Sequence, residues 1–166
     1  MRLIQRVVDF LVLLGGYLAG AAVLAMTLLV TVDVLFRFLF GGSTRMAVEF
    51  SGYLLVVIVF LGLAYTHQEK GHIRVDFFLN LLPPRVQKLV GFLGTVLFLF
   101  LSAFLGYRAS QSVLVSYQFG STSRTGIDVP LWPYQAVIPV GLFLLSALLT
   151  MQIIQSFRSS GSDRSE

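Results

Sequence analysis

Four long stretches without charged residues divide the chain. Residues 10–32, between Asp9 and Asp33, hold 23 uncharged positions. As a helix they would cover about 35 Å, enough to cross a hydrocarbon core of about 30 Å. Similar stretches follow at 50–66, 89–107 and 129–157. Once caps and flanking residues are included, the pattern predicts four transmembrane helices at about 10–36, 44–66, 86–108 and 130–157.

The segment between the second and third predicted helices has a different pattern. Residues 72–82 mix apolar side chains with Arg74, Asp76 and Asn80, and Pro83-Pro84 ends the run. So short a segment cannot cross a bilayer, but it can lie in the membrane interface with its Phe and Leu side chains toward the acyl chains. We therefore predict an all-α integral membrane protein with an interfacial amphipathic segment between helices 2 and 3.

Composition supports one membrane domain. Hydrophobic residues make up 56% of the 166 positions and charged residues only 12%, about half the charged fraction of a soluble domain. The absence of cysteine excludes disulfides, thiolate metal sites and iron–sulfur clusters. We expect a single four-helix domain over 1–157, followed by a polar cytoplasmic tail over 158–166.

The net charge of +4 is unevenly distributed. Eight basic residues fall on the side that holds both termini and the second loop, namely Arg2, Arg6, Lys70, Arg74, Arg85, Lys88, Arg158 and Arg164. Four fall on the other side, namely Arg37, Arg45, Arg108 and Arg124. The positive-inside rule therefore predicts cytoplasmic termini. We interpret the basic charge as orientation and expect no nucleic-acid partner.

Small residues mark one face on each of two helices. Gly16 and Gly20 form a GxxxG pair on the first helix, and Gly106 belongs to a similar face on the third. Such faces let another backbone approach closely. The sequence favours packing within the four-helix unit and leaves docking on a different subunit open.

Two pairs of opposite charge stand four residues apart near the membrane boundary. Asp33 and Arg37 end the first span, and Arg45 and Glu49 begin the second. Ionisable groups at this depth are costly unless they are paired or hydrated. We expect a structural or subunit-docking role for both pairs, in preference to a role in translocation.

The two histidines do not indicate a cofactor site. His67 and His72 lie at the predicted cytoplasmic edge, whereas a haem anchor needs histidines buried between helices. His72 and Asp76 are candidate structural or interface residues, but their spacing does not indicate a metal site. No set of nucleophile, base and orienting residue is visible. We expect no enzyme activity and no cofactor.

Several short motifs together resemble a known family. They are Glu49-Phe-Ser-Gly-Tyr-Leu-Leu-Val, Phe60-Leu-Gly-Leu-Ala, Gly71-His-Ile-Arg-Val-Asp with Leu82-Pro83, and Val129-Pro-Leu-Trp-Pro-Tyr with Ile138-Pro-Val-Gly141. In this order around four spans, the chain resembles the small, DctQ-like membrane subunit of tripartite ATP-independent periplasmic (TRAP) transporters. The resemblance covers about residues 30 to 145.

The resemblance implies a division of labour. A soluble periplasmic substrate-binding protein captures an organic acid, and a large permease subunit moves it with a sodium gradient. The small subunit braces that large subunit among the lipids of the bacterial inner membrane. This sequence is similar to the unfused form, so the large permease is expected as a separate chain.

The main alternative is a small self-contained transporter or channel that works as an oligomer. It predicts a charged residue at the centre of a span, and by sequence alone every charge lies at a span boundary. A haem or quinone anchor of a respiratory enzyme is a third class, which the histidine positions disfavour.

The predicted topology can be tested with single cysteines, because the chain has none of its own. An impermeant thiol reagent should label Ser121→Cys in intact cells and Ser160→Cys only after lysis. The reverse pattern would overturn the topology.

Overall fold

The structure, a computed structural model, describes residues 2–41, 45–69, 84–123 and 129–162. Within these ranges there are four helices, α1 Arg2–Phe40, α2 Arg45–Glu69, α3 Pro84–Gln118 and α4 Trp132–Ser162. Each contains a segment long and apolar enough to cross a membrane. The predicted all-α multi-pass membrane protein is therefore confirmed. The predicted interfacial segment, 72–82, lies outside the described residues.

The helices extend beyond the predicted spans. The third span was expected to end at Arg108, but α3 continues for ten further residues to Gln118. A charged residue does not by itself end a helix. Helix α3 ends at Gly120, whose φ of 57° lies in the left-handed region. The amide of Ser121 donates to the Ser116 carbonyl and that of Gly120 to the Tyr117 carbonyl, which is the Schellman pattern of a helix C-terminus.

Helices α1 and α4 also extend beyond their predicted ends. Helix α1 runs to Phe40 and ends at Gly41, whose φ is 68° and whose amide donates to the Arg37 carbonyl. Helix α4 continues to Ser162. The helix therefore includes the first part of the predicted polar tail, 158–166.

Helices α2 and α4 form the centre of the bundle. Helix α1 packs mainly on α2, α3 packs on α4, and α1 makes a smaller contact with α4. A connected cluster of buried apolar residues comes from three helices and consists of Val12, Ala64, Leu145, Leu148 and Leu149. It lies toward the terminal end of the bundle, where α1 begins and α4 ends. At the opposite end of the bundle, α1 ends and α2 begins.

The two central helices approach each other very closely at Gly141. A Cβ placed at Gly141 would overlap the carbonyl oxygen of Phe60 on α2. In lipid, apolar burial does not drive helices together, so backbone proximity and dispersion must hold this pair. The contact between α2 and α4 therefore requires that residue 141 has no side chain.

We expect Gly141→Ala to destabilise the bundle by about 1–3 kcal/mol, because α2 and α4 would have to separate. Gly94→Ala is the matched control, since a Cβ at Gly94 on α3 meets nothing within 4 Å. Thermal unfolding in detergent should show a lower Tm for the first variant and no loss for the second. Equal effects would contradict the close crossing.

Candidate subunit interface

Polar side chains join the helices at several levels. Gln68 Nε2 donates to Asp9 Oδ1 at 2.9 Å, which links α2 to α1. His67 Nε2 lies 3.1 Å from Gln152 Oε1 and links α2 to α4. The hydroxyls of Ser102 and Ser146 are 2.9 Å apart between α3 and α4. His67 therefore serves a contact within the chain.

The two glycines of the GxxxG pair have different surroundings. A Cβ at Gly16 would collide with the ring of Tyr65 on α2, whereas a Cβ at Gly20 meets nothing within 4 Å. The predicted face is thus covered within the chain at Gly16, whereas its continuation at Gly20 is exposed. Gly106 is buried against Leu142 and Phe143 of α4.

The first charged pair forms as the spacing predicts. Arg37 Nη2 lies 3.0 Å from Asp33 Oδ2. The Asp33 side chain is 8% exposed and that of Arg37 is 55% exposed. The carboxylate is therefore enclosed by the chain, while the guanidinium can be reached from outside.

The second acidic residue sits at the start of α2. Glu49 is only 8% exposed, and its Oε1 accepts a hydrogen bond of 2.6 Å from the Tyr53 hydroxyl. The Tyr53 ring stacks on Tyr134 of α4, with centroids 3.7 Å apart and planes inclined by 7°. This carboxylate therefore helps to orient an aromatic contact between the two central helices.

Three predicted residues have no described side chain. Arg45 is the first residue of α2, but its side chain lies outside the described part of the structure, so its pairing with Glu49 stays a prediction. His72 and Asp76 lie outside the described residues altogether. Among the residues that are described, no group of three His, Asp or Glu could hold a metal ion.

Sequence reasoning missed a groove between α2, α3 and α4. It has a volume of about 740 Å³, and its polar walls include Arg108, Gln111, Ser112, Ser116 and Gln135. Arg108 Nη1 donates to Gln111 Oε1 at 3.1 Å. The sequence does carry a signal for this groove, namely the Arg, Gln and Ser residues that follow the third apolar stretch. These residues were expected to lie in a loop, because Arg108 was taken as the end of the span.

The outward sides of α1 and α3 are apolar over much of their length. Exposed large side chains on α1 include Phe10, Tyr17, Leu24, Leu28 and Phe38, and those on α3 include Leu93, Leu97, Phe100, Phe104 and Leu114. Such continuous apolar surface suits lipid or another membrane protein. Both flanks of the bundle are thus available to neighbours in the bilayer.

Comparison with known families agrees with this architecture. The family model described as "Tripartite ATP-independent periplasmic transporters, DctQ component" matches residues 26–159. The chain belongs to the DctQ family. This is a family of transporter components, and the match covers all four helices in whole or in part.

One curated relative of this DctQ protein comes from Haemophilus influenzae and is described as "Putative TRAP transporter small permease protein". The two are 25% identical over 144 residues, which cover 87% of this chain and 86% of the relative. No solved structure matches the chain significantly.

The Glu49 contact gives a stability prediction. Glu49→Leu removes the acceptor of the Tyr53 hydroxyl and should cost about 1–3 kcal/mol, because a partly buried donor loses its partner. Glu49→Gln keeps an acceptor and should cost less. Thermal unfolding of both variants in detergent measures the difference, and equal stability of the two would contradict a role for this hydrogen bond.

Proposed function

We propose that this DctQ protein is the small, non-catalytic membrane subunit of a TRAP-type secondary transporter. It would brace a separate large permease subunit that moves an organic acid with a sodium gradient. A periplasmic substrate-binding protein would deliver the acid. The complex would lie in the bacterial inner membrane, with both termini of this chain in the cytoplasm. Family membership supports the assignment to a TRAP system.

The continuity of the helices carries the bracing role. Substrate and ion sites in secondary transporters are typically built from discontinuous helices near the bilayer midplane. Each of α1 to α4 runs without a break through its membrane-spanning part, and Pro139 does not interrupt α4. This favours a scaffold over a translocating subunit.

The charged pairs at the opposite end would set the register of the complex. Arg37 is more than half exposed beside the enclosed carboxylate of Asp33, so a partner can contact the guanidinium at this edge. Arg45 and Glu49 begin the neighbouring helix. Gly20 offers an open position for close backbone approach. Gly16 and Gly106 support packing within the chain, and His72 and Asp76 remain candidates near the second loop.

One observation favours the alternative of a small self-contained oligomeric transporter or channel. Arg108 lines the groove together with Phe60 and Leu142, which lie near the middle of their own membrane spans. A cationic side chain at that depth in the membrane is a feature of translocation pathways. The unbroken helices argue against this alternative, and transport by the chain alone would establish it.

Reconstituted vesicles provide the test. Sodium-driven uptake of an organic acid should require both this chain and the large subunit, and the chain alone should neither transport nor bind the acid in calorimetry. Asp33→Asn should reduce co-purification of the large subunit before it changes substrate preference, because it removes one charge of a pair near lipid. Uptake by this chain alone would refute the scaffold role.

A further inference from the structure

The groove runs from near the middle of the membrane spans toward the opposite end of the bundle, where Ser116 and Gln135 line it. Arg108 lines it with Phe60 of α2 and Leu142 of α4, and both of these lie near the middle of their spans, Ala47–Glu69 and Trp132–Ile154. Arg108 also precedes the end of α3 by ten residues, or about 15 Å along the helix. The packing of α3 against α2 and α4 therefore places Arg108 well away from the end of the bundle. The apolar run of α3 had predicted that Arg108 lies at the membrane boundary.

The charge of Arg108 is not neutralised by the described part of the chain. Its guanidinium donates to the Gln111 amide oxygen, and Gln111 in turn donates to the Tyr107 hydroxyl. No described Asp or Glu forms an ion pair with it. A guanidinium carries five N–H donors and Arg108 is exposed, so most of its hydrogen-bonding capacity is open to a partner.

A second polar group on the groove wall also lacks a partner. The Oε1 atom of Gln135 is buried and accepts no hydrogen bond from the described residues. The backbone carbonyl of Gln135 lacks its intrahelical donor as well, because the residue four positions later is Pro139. The groove thus offers a cation near the middle of the bundle, where ionisable groups are costly unless paired or hydrated, and an unused acceptor in the first turn of α4.

We propose that this groove receives the carboxylate of an Asp or Glu side chain on a transmembrane helix of the large permease subunit. The inference rests on the proposed function for the existence of that partner. A carboxylate can accept two parallel N–H bonds from a guanidinium. The apolar part of the groove, Phe60, Leu105, Ile138 and Leu142, would pack against the same helix.

Depth favours a partner helix over a lipid headgroup. Phosphates lie outside the hydrocarbon core, about 15 Å from its midplane. Snorkelling brings a cation to that level only from near a helix end. A residue of a membrane-spanning partner can place its carboxylate at any depth, including that of Arg108.

The test measures how much large subunit co-purifies with the tagged chain from membranes that contain both. Arg108→Glu should lower the recovered large subunit at least about tenfold, because it sets two carboxylates against each other. Arg108→Lys should retain part of the interaction. Arg6→Gln is the matched control, since it removes an exposed arginine near the start of α1, and should leave recovery unchanged.

A second variant tests the groove without changing its charge. Ser112→Leu adds bulk at an exposed position of the groove wall and should also reduce recovery, while Ser112→Ala should not. Replacing the large subunit's intramembrane acidic residues by Arg, one at a time, should identify one that restores recovery with Arg108→Glu. Thermal unfolding of each variant confirms that the bundle is intact.

The outcomes separate the inference from the proposed function. If the unaltered chain recovers no large subunit, the proposed function fails. If the unaltered chain and an intact Arg108→Glu variant recover it equally, only the groove inference fails. Loss of bound phospholipid in native mass spectrometry, with unchanged recovery of the large subunit, would assign the groove to lipid and overturn the proposal.

Discussion

The close crossing of α2 and α4 is the contact on which the rest of the bundle depends. In water, burial of apolar surface would hold two such helices together, but in lipid that driving force is absent and packing must replace it. Gly141 brings the backbone of α4 against the Phe60 carbonyl. The flanking helices then attach to this pair, α1 through α2 and α3 through α4.

Polar contacts supplement this packing at both ends. The pairs Asp9 with Gln68 and His67 with Gln152 connect three helices at the terminal end. At the opposite end, Tyr53 joins Glu49 on its own helix to Tyr134 on α4. These contacts satisfy groups that would otherwise be costly in lipid. The charged residues noted in the sequence thus contribute to the architecture of the single chain, apart from any role in a complex.

The sequence was sufficient for the number and type of the helices, because charged residues bound each apolar run. It was insufficient for their ends, since Arg108 does not stop a helix and Gly120 does. It identified Gly16 and Gly20 as one face but could not show that Tyr65 covers only the first. The depth of Arg108 was missed because it depends on how α3 is offset against α2 and α4. That offset is set by side-chain packing between helices, and the hydrophobic periodicity of the sequence does not reveal it.

The make-up of the core has a consequence for biogenesis. Three of the five residues in the buried cluster, Leu145, Leu148 and Leu149, come from α4, while α1 and α2 supply Val12 and Ala64. The side of the α1–α2 pair that faces α4 therefore lacks its partner until α4, the last of the four helices in chain order, has been synthesised. The bundle can therefore be completed only late in synthesis, and until then Val12 and Ala64 face lipid at little cost, because lipid tails are as apolar as the side chains that later replace them.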